Sequence, residues 1–341
     1  MIKYFGGNII ESIKIDDKTY PLLLRLLQTR TGLNFQYYRR KFIEKRIMAR
    51  MIRVKCRTLD DYYNYLFSQA QEFKNFIESF NINYTYFFRD WEVYETFYQL
   101  ILNCLDLKQS SMMSNIKPPH AQRAKFRTKE NFLKNKAKKR LDYFSDINKT
   151  ILPHLEMLSI RKNLKTRKMI NIWSCACASG EEPFTLAMIL TNISESVKNF
   201  SRYKITASDI DKDAILKAIT GIYNENSMKE ITRFYKTKYF QKIQTKSGEQ
   251  YLVDEKLKDH VEFINEDITK GHQKAIKYDI IFCRYLMIYF NRVNRDSFIK
   301  VIERQLNQGG LLILGKTETL FSEYSNLKLI DSHNQIYLKT K

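Results

Sequence analysis

With 341 residues, 44 % of them hydrophobic, the chain can build cores for two domains. Its formal charge of +21 favours acidic partners. No run approaches the roughly 18 apolar residues of a membrane span, and the opening "MIKYFGGNIIESIKIDD" lacks signal-peptide architecture, so membrane insertion is disfavoured and a cytoplasmic location is expected.

In chain order, residues 1–85 read as an all-α N-terminal domain. The stretch "DDKTYPLLLRLLQTRTG" is a helix closed by Gly32. In "YYRRKFIEKRIMARMIRVK", Ile43, Ile47 and Met51 share one face, and Arg46, Arg50 and Arg53 share another at i, i+4 and i+7. That arginine stripe reads equally as a solvated face or as a dock for an acidic helix. "TLDDYYNYLFSQAQEFKNFIESF" follows as helix, with Thr58 as its cap.

Residues 86–168 read as a linker helix plus a Lys-rich insertion. Between Lys108 and Lys168, 17 Lys+Arg face 4 Asp+Glu, a net of +13. Its low apolar content and Pro-Pro break predict a solvated insertion before they predict a nucleic-acid footprint, since no nucleic-acid module surrounds it.

From 169 to 341 the rhythm alternates strand and helix. "MINIWS", "YKITASDID", "HVEFINEDI", "YDIIFC", "LLILG" and "NQIYLKTK" read as strands. "EEPFTLAMILTNIS", "DAILKAITG" and "DSFIKVIERQLNQGG" read as helices, the last stopped by Gly309–Gly310. This order predicts an α/β doubly wound sheet. "KTKYFQKIQTKSGEQYLVDEKL" interrupts it as a β-hairpin turning near Ser247–Gly248, inside a small β-subdomain at about 234–262. The five cysteines are scattered and odd in number, which predicts reduced thiols. Cys175 and Cys177 have neither His nor further Cys beside them, so no metal is expected.

Ligands of open α/β sheets sit beyond the strands' carboxyl ends, near the point where strand order reverses. Four strand ends therefore converge on one candidate site: Ala176–Glu181, Asp209, Asp267 and Arg284–Tyr285. An acid after the second strand suits ribose hydroxyls. "SDID" is equally a helix cap, and we assign Asp211 to the cap and Asp209 to the ligand. The first turn discriminates between cofactors. Only Gly180 is present there, and Glu181 already satisfies the helix dipole and repels a pyrophosphate. A cationic nucleoside without phosphate fits better, and S-adenosylmethionine has that chemistry. The expected fold is a class I S-adenosylmethionine-dependent methyltransferase, Rossmann-like, with the all-α domain in front and the small antiparallel β-subdomain inserted.

The motifs "NINYTYFFRD", "IWSCACASGEEPFTLAM", "ASDIDKDAILKAITGIY", "YDIIFCRYLMIYF" and "GGLLILGKTETL", in this order, resemble the CheR-type chemotaxis receptor methyltransferase family. "GLNFQYYRRKFIEKRIMARM" resembles that family's basic helical domain. The resemblance implies a glutamate O-methyltransferase that takes S-adenosylmethionine, releases S-adenosylhomocysteine and acts on the cytoplasmic helical domain of methyl-accepting chemoreceptors. It implies cofactor contacts for Asn83, Thr85, Arg89, Glu181, Asp209, Asp267, Ile268, Tyr285 and Leu286, with Asp267 and Tyr285 standing where the family usually has Asn. It places Arg89 and Tyr289 beside the reacting centre and gives Arg46, Arg50 and Arg53 to substrate docking. It also implies that the β-subdomain could take a receptor C-terminal peptide. The chain is expected to be monomeric. A glutamate is ionised near neutral pH, so the implied in-line displacement needs no general base. The rival readings are a nucleic-acid methyltransferase, disfavoured because "CRYLMIYF" is not an amine-gripping motif, and a non-catalytic scaffold that binds the cofactor.

Overall fold

The structure is a computed structural model that describes residues 15–80, 83–107, 150–320 and 326–341. Most of the Lys-rich insertion, 108–149, lies outside the described residues. The chain divides into two compact units. One comprises the described part of Met1–Ile82 together with Tyr289–Phe298, and the other comprises the described parts of Asn83–Ile288 and Ile299–Lys341. Among the described residues no helix is long and apolar enough to cross a membrane.

The first unit is built on α1 (Thr19–Thr31), α2 (Arg40–Val54), α3 (Leu59–Ser68) and α4 (Ala70–Phe80). Gly32 closes α1 in the left-handed conformation, which glycine enters at no steric cost. Thr58 and Asp61 form a reciprocal capping box on α3. The stretch after Thr58 is two helices, because Gln69 between them takes a non-helical backbone. Leu23, Leu27, Ile47, Met51, Tyr62, Leu66 and Phe76 are fully buried at the centre.

Arg50 corrects the expectation of an exposed arginine stripe. It is buried and donates twice, at 2.7 Å each, to the Glu72 carboxylate, which also accepts from the Tyr62 hydroxyl at 3.0 Å. Arg50 lies three residues beyond Ile47 and seven beyond Ile43, so helical geometry turns it toward the same buried arc. Arg46 is half-buried, with its guanidinium 5.1 Å from the Phe42 ring centroid, whereas Arg53 is exposed. The solvent stripe of α2 runs through Lys41, Lys45, Ala49 and Arg53 instead. Tyr289 joins this unit: its carbonyl accepts from the Arg39 N–H at 2.9 Å, and its ring sits 4.7 Å from that of Phe42.

The second unit holds a seven-stranded sheet. Its strands are β1 (Ile170–Cys175), β2 (Tyr203–Asp209), β6 (Val261–Asn265), β7 (Tyr278–Cys283), β8 (Leu306–Leu314), β9 (Leu327–Asp331) and β10 (Ile336–Lys339). They run in the order β6-β2-β1-β7-β8-β10-β9. The first five are parallel and β10 is antiparallel to both neighbours. The chain builds outward from β1 to β6 on one side and then resumes at β7 on the other. Strand order therefore reverses between β1 and β7, which is where such a sheet opens a crevice. The helices of this unit include α5 (Trp91–Cys104), α6 (Ser159–Thr166), α7 (Glu181–Ser194) and α8 (Lys212–Thr220). Nearly every residue of α7 is buried, as fits a helix against the middle of the sheet.

A second sheet, of three strands, contains β3 (Ile222–Tyr223), β4 (Phe240–Thr245) and β5 (Gly248–Val253), with β5 in the centre. The predicted hairpin is β4–β5. Its flanks are helical: α9 (Arg233–Tyr239) precedes it and α10 (Glu255–Lys258) follows. The last long helix, α11 (Arg292–Gln305), ends before the Gly309–Gly310 pair expected to stop it. Those glycines lie inside β8, where a Cβ on Gly309 would come 1.9 Å from the Met157 carbonyl oxygen. Close backbone approach, not helix termination, is what requires glycine there.

Candidate active site

The turn from β1 to α7 is wound tightly, with Ala176, Ala178 and Gly180 all at positive φ (58°, 47° and 91°). A Cβ on Gly180 would meet the Ala218 Cβ at 2.8 Å and the Tyr223 hydroxyl at 2.9 Å. Only glycine fits that position. The turn delivers Glu181 into a buried slot, where its carboxylate accepts from the Ser179 hydroxyl at 2.7 Å and the Ser227 hydroxyl at 3.0 Å.

At the end of β2, Asp209 ties two turns together. One carboxylate oxygen accepts from the Ala178 N–H at 2.8 Å and the other from the Asp211 N–H at 2.9 Å. Desolvation is the main reason its pKa is pushed up to about 6. Asp211 caps α8 through the N–H groups of Asp213 and Ala214, the role assigned to it from sequence. Its second oxygen accepts from the Asn83 amide at 2.6 Å. Asn83 is exposed and Thr85 half-buried. The following Phe87 and Phe88 are core, anchored by backbone bonds to the Ser227 carbonyl and the Thr185 hydroxyl.

Beyond β6, Asp267 folds one carboxylate oxygen onto the N–H and hydroxyl of Thr269, at 3.0 and 2.6 Å. Its other oxygen is buried and has no hydrogen bond, with the Lys270 ammonium 3.5 Å away. Ile268 beside it is buried.

Beyond β7, Arg284 is buried in a network that sequence reasoning did not resolve. It donates to the Tyr94 hydroxyl at 3.0 Å, to Glu182 at 3.2 Å, to the Arg89 carbonyl at 3.1 Å and to the Asp90 carboxylate. Glu182 in turn accepts from the Ser174 hydroxyl at 2.8 Å. The second acid of the opening turn thus serves to lock the 83–90 segment to α7 and β7. Tyr285 has a left-handed backbone, φ 62°, and Leu286 is half-buried.

Glu318 was also missed. It is buried after β8 and accepts from four backbone N–H groups: Tyr285 at 2.6 Å, Gly315 and Met287 at 2.8 Å each, and Ile288 at 3.3 Å. Burial raises its pKa, and the four N–H groups oppose that rise. A lone acid in "GKTETL", directly after an apolar strand, was the available signal.

Arg89 stands at the rim. One guanidinium nitrogen donates to the Tyr84 carbonyl at 2.6 Å, and the group lies 4.0 Å from the Tyr285 ring centroid and 5.5 Å from that of Tyr84. Hydrogen bonds join Asp209 to the turn before Glu181, and Arg89 to Glu182 through Arg284, whereas Tyr289, Arg46, Arg50 and Arg53 belong to the helical unit.

Two family descriptions match the chain: the CheR methyltransferase all-alpha domain over residues 18–80, and the CheR methyltransferase SAM binding domain over residues 136–336. The chain belongs to the CheR methyltransferase family. Its relatives include chemotaxis protein methyltransferase 2 of Vibrio cholerae, 25 % identical over 315 residues that cover 91 % of this chain and 88 % of the relative. The chemotaxis protein methyltransferase of Borreliella burgdorferi is 26 % identical over 314 residues, 91 % of this chain and 90 % of its own. That of Escherichia coli is 31 % identical over 148 residues, 43 % of this chain and 51 % of its own.

The cofactor of this CheR-type methyltransferase is S-adenosylmethionine. The residues at the crevice fit it. Asp267 keeps one buried carboxylate oxygen without a hydrogen bond, an acceptor of the kind that suits an adenine amine. Asp209 offers acceptors to ribose hydroxyls. The Glu181 carboxylate at the start of α7 disfavours a phosphate and suits a cation, whereas the charge of Glu182 is met by Arg284.

Proposed function

We propose that this enzyme methylates glutamate side chains on the cytoplasmic helical domain of chemoreceptors, yielding methyl esters as a protein-glutamate O-methyltransferase. The observation that carries this is Arg89. Apart from its bond to Tyr84, its guanidinium N–H groups have no hydrogen-bond partner among the described residues, so a planar double donor stands ready for a carboxylate.

When bound, S-adenosylmethionine supplies an electrophilic methyl group. We assign its binding to Glu181, Asp209, Asp267 and Ile268, to the backbone at Tyr285 and Leu286, and to Asn83 and Thr85 in the linker. Arg89 orients the substrate carboxylate, which is already ionised at neutral pH and needs no base. Desolvation of that carboxylate and its positioning supply most of the acceleration. Tyr289 is assigned to the approach of the substrate. On the helical unit, Arg53 together with Lys41 and Lys45 forms the exposed basic stripe that suits an acidic receptor helix, a role that no longer includes Arg50. In the β-subdomain, β4 is an edge strand, pairing among the described residues with β5, and a receptor-tail peptide could extend that sheet.

The test incubates the protein with methyl-labelled S-adenosylmethionine, a chemoreceptor cytoplasmic fragment and, separately, RNA. Label on the receptor that mild base releases as methanol is the expected result. Base-stable label, or label on RNA alone, refutes the substrate assignment. Arg89→Ala should lower transfer at least a hundredfold, by an estimate of about 3 kcal/mol for losing one charge-assisted contact, with cofactor affinity little changed.

A further inference from the structure

We propose that Tyr285 is a positioning residue: its ring is a platform that fixes the plane of the Arg89 guanidinium, on the reading above that Arg89 receives the substrate carboxylate. Four observations converge on it. The Arg89 guanidinium carbon lies 4.0 Å from the Tyr285 centroid, within the range of a strong cation–π contact. The ring packs directly on the Gly315 backbone, because a Cβ on Gly315 would lie 2.8 and 2.9 Å from two of its carbons. The ring thus touches the Gly315 backbone as well as the guanidinium.

Its hydroxyl donates to Asp90, whose same oxygen accepts from Arg284. Arg284 also holds the carbonyl of Arg89 itself. Both ends of the arginine, peptide and guanidinium, are therefore referred to one buried cation and one ring. The backbone at Tyr285 completes the case. A left-handed tyrosine is uncommon and persists only where its surroundings hold it. Here the Glu318 carboxylate holds it, taking the Tyr285 N–H at 2.6 Å.

The consequence is chemical. Stacking uses the face of the guanidinium and leaves its in-plane donors for a carboxylate. With asparagine, the residue the family resemblance leads one to expect here, the face of Arg89 would lack this support. Tyr285 in this chain replaces a side-chain role toward the cofactor with one toward the arginine.

The test uses the full chain without cofactor, labelled with 15N-arginine. The Arg89 side-chain resonance, assigned by its loss in Arg89→Lys, should be shifted upfield by the ring. Tyr285→Asn, which tolerates a left-handed backbone, should abolish that shift, and Tyr285→Phe should keep it. An Arg89 resonance unmoved by Tyr285→Asn overturns the platform. In turnover, Tyr285→Asn should lower kcat about two- to thirtyfold, the range of a cation–π contact, with S-adenosylmethionine Kd within about threefold. Tyr285→Phe should recover more than half of that loss, and Tyr285→Asn should add nothing in an Arg89→Ala background. Wild-type kcat in Tyr285→Asn beside an inactive Arg89→Ala overturns the platform and leaves the arginine's role standing. An active Arg89→Ala removes that role, while the resonance still judges the stacking on its own.

Discussion

Lowering the pH from 7 to 5 should weaken S-adenosylmethionine binding about tenfold, through Asp209. Burial at the end of β2 raises the carboxyl of this residue to about 6 from an ordinary 3.8, against the pull of the Asp211 and Ala178 N–H groups. Ribose hydroxyls donate more strongly to the carboxylate than to the carboxylic acid, so binding favours the ionised form and draws the carboxyl back toward its ordinary 3.8. With the carboxyl at about 6 in the free protein and at its ordinary 3.8 in the complex, the free protein at pH 5 is about nine-tenths protonated at this site and the complex less than about one-tenth. Affinity then falls about tenfold between pH 7 and 5 and is nearly flat above pH 7. Cys177, also close to Asp209, is pushed far above its ordinary range by burial and is silent here. For folding the sign is reversed. An acid whose pKa is raised in the folded chain contributes stability that is complete below about 3.8 and lost as pH rises through about 6. The difference is about 3 kcal/mol at pH 7. The assay is titration calorimetry at pH 7, 6 and 5 at constant ionic strength, in buffers of different ionisation enthalpy. Proton release on binding should be close to half a proton at pH 6. Asp209→Asn should bind more weakly and lose the slope. Equal Kd at pH 5 and 7, or an Asp209→Asn variant that keeps the slope, would refute the reasoning.

Arg50→Ala strands the buried Glu72 carboxylate and should destabilise the helical unit by about 3–5 kcal/mol, read by denaturant unfolding. A loss under 1 kcal/mol would return Arg50 to the surface. Glu318→Gln turns an all-acceptor group into one that also presents N–H, so at least one of the four bonded backbone N–H groups loses its partner. Unfolding should cost about 1–3 kcal/mol less, and cofactor affinity should fall about tenfold as the Tyr285–Ile288 turn loosens. Unchanged affinity would remove Glu318 from the site.

The β/α alternation, the continuous apolar run of β7 and the acids at the strand ends are local patterns. They carried the class of fold and the kind of cofactor, because period and turn chemistry are written residue by residue. Capping was equally local, so Thr58, Gly32 and Asp211 could be assigned from their neighbours alone. The misreadings share a cause. Arg50 looked solvated because charge usually is, and its partner Glu72 stands 22 positions away on another helix. Gly309 looked like a stop signal, but the object it accommodates is the carbonyl of Met157, far off in sequence.

The same distance separates the chemistry from its support. Glu182, Arg284 and the Asp90–Tyr94 pair come from three separate segments and meet only when the sheet places β7 beside β1. Glu318 reaches Tyr285 across 33 positions because the sheet places β8 beside β7. Motifs named the groups assigned to the ligand. The groups that hold those residues in place are defined by whom they meet, and a one-dimensional pattern does not contain that information. Hydrogen bonds and ring contacts between distant segments exist only after the fold has brought them within about 3 to 6 Å.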